Sequence, residues 1–213
     1  MRIIHHRRNS VAELAQTPPE FGVEIDLRNH GDEILVTHDP FQTDAVRFDD
    51  WLKGYHHSFL IANVKEEGLE PRLLELFNRH GITDYFILDE SFPFIRKYAL
   101  RGLPHFALRV SEYESAETPI RLATELARVG QAVTWIWVDS FTGRLIAPEV
   151  ARRLRDAGFK LCFVSPELHH VDDPANWDGH IRHFLDQLRQ TGAEECWPDM
   201  VCTKLPDLWR TAR

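Results

Sequence analysis

Short apolar runs of strand length alternate with amphipathic helical stretches along the whole 213-residue chain. Ser10 is placed to cap "VAELAQ", Pro71 begins "PRLLELFNRHG", and Gly81 ends it, which is typical of helix starts and stops. The turn "NHGD" predicts a hairpin that joins "GVEIDLR" to "EILVTH". The eight principal predicted strands are "RIIHH", "GVEIDLR", "SFLIANVK", "DYFILD", "HFALRV", "AVTWIWVD", "KLCFVS" and "DMVCTK". The predicted helices are "SVAELAQ", "FDDWLKGY", "PRLLELFNRHG", "FPFIRKYALRG", "TPIRLATELARVG", "APEVARRLRDAG" and "WDGHIRHFLDQLRQTG".

This alternation restricts the fold class. Strands separated by helices favour a parallel sheet covered by helices, and eight of them predict a small (βα)8 TIM barrel with a β-hairpin after strand 2. The competing fold is an open doubly wound sheet, but no glycine-rich phosphate loop follows the first strand to support it. Because no linker or low-complexity tract interrupts the pattern, we expect residues 1–213 to form a single domain.

The composition excludes several classes of protein. A net charge of -8 without a basic stripe argues against a nucleic-acid partner. No apolar run approaches the roughly 20 residues of a membrane span, so we expect no transmembrane segment. The first residues do not have the pattern of a signal peptide, and the three widely spaced cysteines fit no zinc or redox motif. A cytoplasmic location is therefore expected, while the oligomeric state stays open.

Polar residues gather at the predicted carboxyl ends of the strands, where barrels of this kind carry their chemistry. Glu24, Asp26 and Arg28 alternate along the second strand and share one of its faces. Asn63 and Lys65 share a face of the third principal strand in the same way. The other polar residues at predicted strand ends are His6, Arg7, Asp89, Arg109, Asp139, Ser165, Glu167 and Lys204.

Four of these features occur in an order that resembles a known family. They are a His-Arg pair after the first strand, an E-x-D motif, a hairpin ending in His-Asp, and a third-strand motif of the E-x-K type with asparagine in its first position. These are His6-Arg7, Glu24-Ile25-Asp26, "GDEILVTHDP" and Asn63-Val64-Lys65. Together they are similar to the glycerophosphodiester phosphodiesterase family, within the wider group of phosphatidylinositol phospholipase C-like phosphodiesterases. The motifs lie between residues 4 and 65, and the remaining strand–helix pattern is compatible with the barrel of that family.

The chain also departs from the family pattern. Arg8 stands where the family usually has glycine, the "PENT" segment is missing, and the insertion before the third principal strand is almost absent. Asn63 replaces the expected metal-binding glutamate, and an amide oxygen can bind Mg²⁺ or Ca²⁺ but brings no charge. Asp89 or Asp139 is an alternative acid that could complete the site. These departures indicate a divergent, short member with a different substrate.

The resemblance implies a role for each matching residue. Glu24, Asp26 and Asn63 would hold a divalent cation, Mg²⁺ or Ca²⁺, that binds a phosphate oxygen. Lys65, a catalytic candidate, would neutralise phosphate charge together with Arg7. His6 and His38 would act as general base and general acid, in an order that the sequence leaves open.

Each of these roles has a structural alternative. Glu24 and Asp26 could form ion pairs with Arg28 and Lys65, and Asn63 could be a simple hydrogen-bonding residue. His38 could cap the turn at Asp39 and Pro40, and Lys65 could be a solvated charge. His5 has the opposite strand parity to His6 and is read as a surface residue. Trp135 and Trp137 are read as core residues, His56, His57, His169 and His170 as loop residues, and the cysteines as buried apolar groups.

The sequence therefore predicts a metal-dependent phosphodiesterase that takes part in lipid metabolism. Its substrate would be a small polar phosphodiester, either glycerophosphodiester-like or a sugar-phosphate conjugate. Two alternatives stay open. One is a non-catalytic barrel that binds a phosphate or sugar phosphate, and the other is a metal-assisted lyase that forms a cyclic phosphate.

Overall fold

The computed structural model describes residues 1–212, and Arg213, the last residue of the predicted domain, lies outside the described residues. The strands are β1 (Arg2–His5), β2 (Gly22–His30), β3 (Glu33–Val36), β4 (Leu60–Val64), β5 (Tyr85–Leu88), β6 (Ala107–Val110), β7 (Trp135–Val138), β8 (Lys160–Val164) and β9 (Met200–Thr203). The α-helices are α1 (Val11–Gln16), α2 (Phe48–Leu52), α3 (Glu70–His80), α4 (Phe92–Ala99), α5 (Glu117–Ala127), α6 (Pro148–Asp156), α7 (Trp177–Thr191) and α8 (Pro206–Arg210).

The chain divides into two compact units. The N-terminal unit comprises Ile4–Ile95, and the C-terminal unit comprises Met1–Ile3 together with the residues from Arg96 onward. In the N-terminal unit β1, β2, β4 and β5 pair in parallel, and β3 pairs with β2 in antiparallel orientation. In the C-terminal unit β6, β7, β8 and β9 pair in parallel, and the Arg2 N–H donates to the Asp199 carbonyl.

The order of the strands is that of the predicted fold. The order is β5-β4-β2-β1-β9-β8-β7-β6, and β3 pairs with β2 beside this path. Once the hairpin is set aside, consecutive parallel strands are neighbours in this order, except β5 and β6, which stand at its two ends. Helices follow the strands, and the parallel strands β4 and β5 are buried at every position, as expected for strands covered on both faces. The structure confirms the predicted (βα)8 architecture with a hairpin after the second strand.

Local sequence signals account for several element ends. Ser10 caps α1 in a capping box with Glu13, and Gly81 ends α3 in the left-handed conformation with φ of 68°. The predicted turn lies between β2 and β3, where Gly31 has φ of 62°. The strand β3 ends at Val36, two residues before the predicted end at His38, because the chain turns at Asp39 before Pro40, which has no N–H to donate.

Within residues 1–212, no helix combines the length and the apolar character that crossing a bilayer requires. The three cysteines are buried, as the sequence predicts.

Candidate active site

The side chains of Glu24 and Asp26 lie on one face of β2, and each is about 1% exposed. The neighbouring strand β4 pairs in parallel with β2, and its Asn63 lies directly opposite Asp26. Lys65 follows β4, and its N–H donates to the Leu27 carbonyl. Parallel pairing therefore brings Glu24 and Asp26 of β2 and Asn63 and Lys65 of the next strand to one edge of the N-terminal unit.

Glu24 is held by hydrogen bonds from two other elements. Its Oε2 accepts from the Arg7 N–H at 2.8 Å, and its Oε1 accepts from Asn63 Nδ2 at 3.0 Å. Burial, reinforced by the negative charge of Asp26, raises the pKa of Glu24 from 4.5 to about 7. A buried carboxylate beside a second one is a place where added positive charge is favourable.

Asp26 has a different electrostatic environment. Burial raises its pKa, but Lys65, Asn9 and Arg7 outweigh burial, and the net pKa is lowered below the ordinary 3.8. Lys65 Nζ lies 3.0 Å from Oδ1, and Arg7 Nε lies 3.5 Å from Oδ2. Asn9 bonds Asp26 twice, since its Nδ2 donates to Oδ2 at 2.9 Å and its Oδ1 accepts the Asp26 N–H at 3.0 Å. Asp26 is therefore an anion in a fixed orientation.

Asn63 has an unsatisfied oxygen beside these carboxylates. The residue is 8% exposed, and its buried Oδ1 has no hydrogen-bond partner among residues 1–212. A buried amide oxygen without a partner is costly, and it is also a ligand atom that Mg²⁺ and Ca²⁺ accept. Two carboxylates and one amide oxygen are a donor set that fits a hard divalent cation. No three His, Cys, Asp or Glu side chains of the described chain are placed together to hold a metal ion.

His6 and Arg7 follow β1 and approach these acids. His6 Nε2 lies 3.8 Å from Glu24 Oε2, and the His6 side chain is 16% exposed. His5 has the opposite strand parity, and its ring is partly buried against Phe21 at 4.6 Å rather than exposed as the sequence predicted. Arg7 has φ of 51°, a left-handed conformation that turns its N–H toward Glu24. The structure thus brings His6, rather than His5, to the carboxylates.

His38 lies in the loop after β3 with a 43% exposed side chain. Its Nδ1 lies 2.9 Å from Asp39 Oδ1, and its backbone carbonyl accepts from Arg28 Nε at 3.0 Å. The contact with Asp39 joins two side chains and is not a bond to the backbone of the turn. Arg28 does not pair with Glu24 or Asp26 in the described structure, whereas Lys65 pairs with Asp26 as the ion-pair alternative proposed.

The polar strand-end residues that the sequence singles out in the C-terminal unit contact other residues of the same unit. Arg109 donates to Asp139 Oδ2, and His169 Nε2 lies 3.1 Å from Asp139 Oδ1. His169 ends a short 3₁₀ helix, Pro166–His169, and is therefore not the loop residue that the sequence predicted. The ring of Phe141 packs on His169 at 4.6 Å.

Glu167 and Lys204 lie at the ends of β8 and β9. Oε1 of Glu167 accepts from Thr203 Oγ1 at 2.6 Å and from the Lys204 N–H at 2.8 Å. Lys204 Nζ lies 4.7 Å from the centre of the Trp177 ring. Trp209 Nε1 donates to Ser165 Oγ at 2.8 Å. The second carboxylate oxygen of Glu167, Oε2, is buried without a hydrogen-bond partner among residues 1–212.

Sequence reasoning did not single out Asn9 or pair His169 with Asp139. Asn9 lies three residues after His6, and this position in "HHRRN" is the one local signal that could have drawn attention to it. The pairing of Asp139 with His169 has no local signal, because 30 residues separate them in the chain.

Comparisons with known proteins support the fold. No family model matches the chain, and no curated protein matches it. Among solved structures, the chain is similar to a protein from Agrobacterium tumefaciens assigned as a glycerophosphoryl diester phosphodiesterase, with a TM-score of 0.64, 14% identity and coverage of 98% of this chain and 95% of that one. It is similar to a glycerophosphoryl diester phosphodiesterase from Parabacteroides distasonis, with a TM-score of 0.64, 14% identity and coverage of 99% and 85%. The chain therefore has the TIM-barrel fold of the glycerophosphoryl diester phosphodiesterases.

Proposed function

We propose that the chain is a phosphoric diester hydrolase that acts on a small polar phosphodiester, such as a glycerophosphodiester or a sugar-phosphate conjugate. One observation carries this proposal. In a fold that it has in common with phosphodiesterases, the chain places Glu24, Asp26, Lys65 and His6 in one polar cluster at strand ends. Fold alone does not determine activity, and the chemistry of this cluster is the additional support.

The proposed cofactor is a divalent cation, Mg²⁺ or Ca²⁺, held by Glu24, Asp26 and Asn63. The raised pKa of Glu24 and the unpartnered Asn63 Oδ1 support it, because a cation would relieve both. When bound, the cation would supply positive charge to a phosphate oxygen.

The remaining phosphate charge would be neutralised by Lys65 and Arg7. The Lys65 ammonium is 15% exposed and already lies among carboxylate oxygens, so it is held in place before substrate arrives. The Arg7 side chain is 45% exposed, and its guanidinium has further donors available beyond the contact with Asp26. A planar guanidinium can bind two phosphate oxygens at once.

The two histidines would transfer protons on either side of phosphorus. His6 Nε2 lies 3.8 Å from Glu24 Oε2, which places its ring beside the proposed cation and phosphate site. The contact between His38 and Asp39 orients the His38 ring and leaves its other nitrogen available to the substrate. An imidazole is suited to both tasks near neutral pH. The odd number and wide spacing of the three cysteines favour a reducing compartment, so a cytoplasmic role in the metabolism of lipid-derived phosphodiesters is included in the proposal.

A second candidate function is phosphate binding without turnover, and the neutral amide at Asn63 favours it. A site that has lost one acidic ligand holds a cation less tightly.

A third candidate is a lyase that releases a cyclic phosphate, since the same two histidines could activate a substrate hydroxyl. Phosphorus NMR of the first product separates hydrolysis from cyclisation.

The test is hydrolysis of a panel of phosphodiesters, including glycerophosphodiesters and bis(p-nitrophenyl) phosphate, with Mg²⁺, Mn²⁺, Ca²⁺ or EDTA. We expect cation-dependent turnover that falls roughly 10²- to 10⁴-fold in His6→Ala and in His38→Ala. His30→Ala is the matched control, because His30 is an exposed histidine of the same hairpin. Full activity in both histidine variants would exclude this mechanism, and ligand-induced stabilisation without product would favour the binding protein.

A further inference from the structure

The C-terminal unit contains a cavity of about 220 Å³, which is lined by residues from the ends of β6 and β7 and from the start of α6. Val110 and Val138, the last residues of the two strands, form part of its wall. The carboxyl ends of parallel strands are where barrels of this kind bind their ligands. A volume of this size holds roughly seven water molecules, so the cavity suits a small molecule.

Most of the lining is aliphatic. The aliphatic lining residues are Val110, Val138, Leu145, Ile146, Ala147 and Val150. Val110 and Val138 are 4% and 5% exposed, whereas the other four are half-buried, so the cavity passes from the core of the unit toward its surface. A wall of this kind favours a ligand with an aliphatic body, because binding removes apolar surface from water on both sides.

Two of the four polar lining residues already have partners in the same unit. The four are Ser111, Glu112, Asp139 and Arg144. Asp139 forms an ion pair with Arg109, so its charge is balanced. The Ser111 hydroxyl donates to Glu114 Oε2 at 3.0 Å. Neither residue therefore needs a charge from a ligand.

Glu112 and Arg144 carry the two lining charges that are not balanced in this way. Glu112 accepts from neutral donors, namely the N–H groups of Phe141 and Thr142 at 3.1 and 2.9 Å and the Thr142 hydroxyl at 2.5 Å. Burial raises the pKa of Glu112, but these hydrogen bonds outweigh burial and lower the net pKa, so Glu112 is an anion. Its Oε2 accepts the Phe141 N–H and has a second lone pair for another donor. The Arg144 side chain is exposed and forms no ion pair within residues 1–212.

The wall that carries Arg144 is held by the protein's own hydrogen bonds. Ser140 Oγ donates to the Arg144 carbonyl at 2.6 Å, and Gln187 Nε2 donates to the Gly143 carbonyl at 3.3 Å. Together with the bonds of Glu112 to the same loop, these contacts fix the cavity before a ligand arrives. A ligand therefore pays little of the free energy that ordering a loop would cost.

We propose that this cavity binds a small aliphatic α-amino acid, with its carboxylate on Arg144, its ammonium on Glu112 and its side chain against the aliphatic wall. A zwitterion matches both charges of the lining. A simple anion would lie beside Glu112, and a simple cation would lie beside Arg144, so each would meet one like charge. The lining residues belong to the C-terminal unit and the proposed catalytic residues to the N-terminal unit, so this inference does not depend on the proposed function.

The experiment is titration calorimetry of L-leucine into the purified full-length protein, compared with three analogues that each lack one feature. Isovalerate lacks the ammonium, isoamylamine lacks the carboxylate, and glycine lacks the aliphatic side chain. We expect leucine to bind with a Kd of about 1 mM or tighter, and each analogue to bind about 10-fold or more weakly than leucine. Absence of leucine binding would overturn the inference, and so would isovalerate or isoamylamine binding as tightly as leucine.

Two variants locate the binding to this cavity. Arg144→Gln should weaken leucine binding by about 10-fold or more, and because Arg144 is exposed, this variant keeps the fold. Val150→Phe should abolish binding, since the larger ring fills the cavity. Arg128→Gln is the matched control, an exposed arginine of the same unit that does not line the cavity, and it should bind leucine like wild type. Wild-type affinity in both Arg144→Gln and Val150→Phe would place the leucine elsewhere and refute the inference, whatever the outcome for phosphodiester hydrolysis.

Discussion

The pH dependence of stability is sensitive to the buried carboxylate of Glu24. Its pKa is about 7 in the folded chain and near 4.5 when exposed, so the folded state binds the proton more tightly than the unfolded state. The free energy of unfolding therefore falls as pH rises from about 4.5 to about 7. At about 1.4 kcal/mol for each pKa unit, the full cost above pH 7 is about 3 kcal/mol.

Glu24→Gln removes this cost, and it also replaces one acceptor oxygen by an amide group. The carboxylate accepts from the Arg7 N–H and from Asn63 Nδ2, and a glutamine oxygen can satisfy only one of them. Losing one hydrogen bond costs about 1 kcal/mol. We therefore expect the variant to be more stable than wild type by about 2 kcal/mol near pH 8, and to show no gain near pH 5.

The assay is urea denaturation of wild type and variant at both pH values in EDTA, so that no cation occupies the carboxylates. Asp26→Asn is the matched control. Its effect on the free energy of unfolding should have the opposite sign, because the pKa of Asp26 is lowered in the folded state. Its carboxylate stabilises the fold at pH values above the ordinary 3.8, so this variant should lose stability near pH 8. An effect of Glu24→Gln that is the same at both pH values would refute the assignment of a buried, proton-binding carboxyl group.

Three further outcomes follow from the packing and the hydrogen bonds. Gly22→Ala should lower the free energy of unfolding by about 1–3 kcal/mol, because the added alanine Cβ would lie 2.9 Å from the rigid Phe59 carbonyl oxygen. Thermal denaturation of the variant and wild type measures this loss. Gly179→Ala, the matched helical glycine with open space around its Cβ, should instead stabilise the protein by roughly 0.5–1 kcal/mol in the same assay. Asn9→Ala should destabilise the fold by about 1–3 kcal/mol and raise the pKa of Asp26, because both hydrogen bonds to Asp26 are lost. NMR titration of the Asp26 carboxyl carbon measures that pKa, and an unchanged value would contradict the double hydrogen bond.

The fold class was predictable because its signals are local. The two-residue period of "GVEIDLR", the turn after it and the alternation with amphipathic helices follow from backbone geometry and side-chain burial. Strand parity also predicted that Glu24 and Asp26 share a face, and both side chains are on that face. Resemblance in four short motifs indicated the same fold that the solved structures then supported.

Contacts between side chains of the candidate site were predictable only in part. The ion pair of Lys65 with Asp26 was one of two alternatives, whereas its second contact with Asp89 was not foreseen. Asn9 was overlooked because its two bonds to Asp26 span 17 residues of chain. The orientation of the Asn63 amide, with its nitrogen on Glu24, depends on charges that are remote in sequence.

Local sequence sets the type and order of the elements and the residues that each strand presents on one face, since both depend on neighbours within a few positions. Which acids contact Lys65 depends instead on strand register and on contacts between distant segments, and it follows only from the folded structure. Strand register places Asn63 opposite Asp26 on β2 and opposite Leu88 on β5. Lys65, which follows the same strand, can therefore contact both Asp26 and Asp89. The physical reason is that the energy of a buried charge is set by every charge around it, and the chain brings those charges together only when it folds.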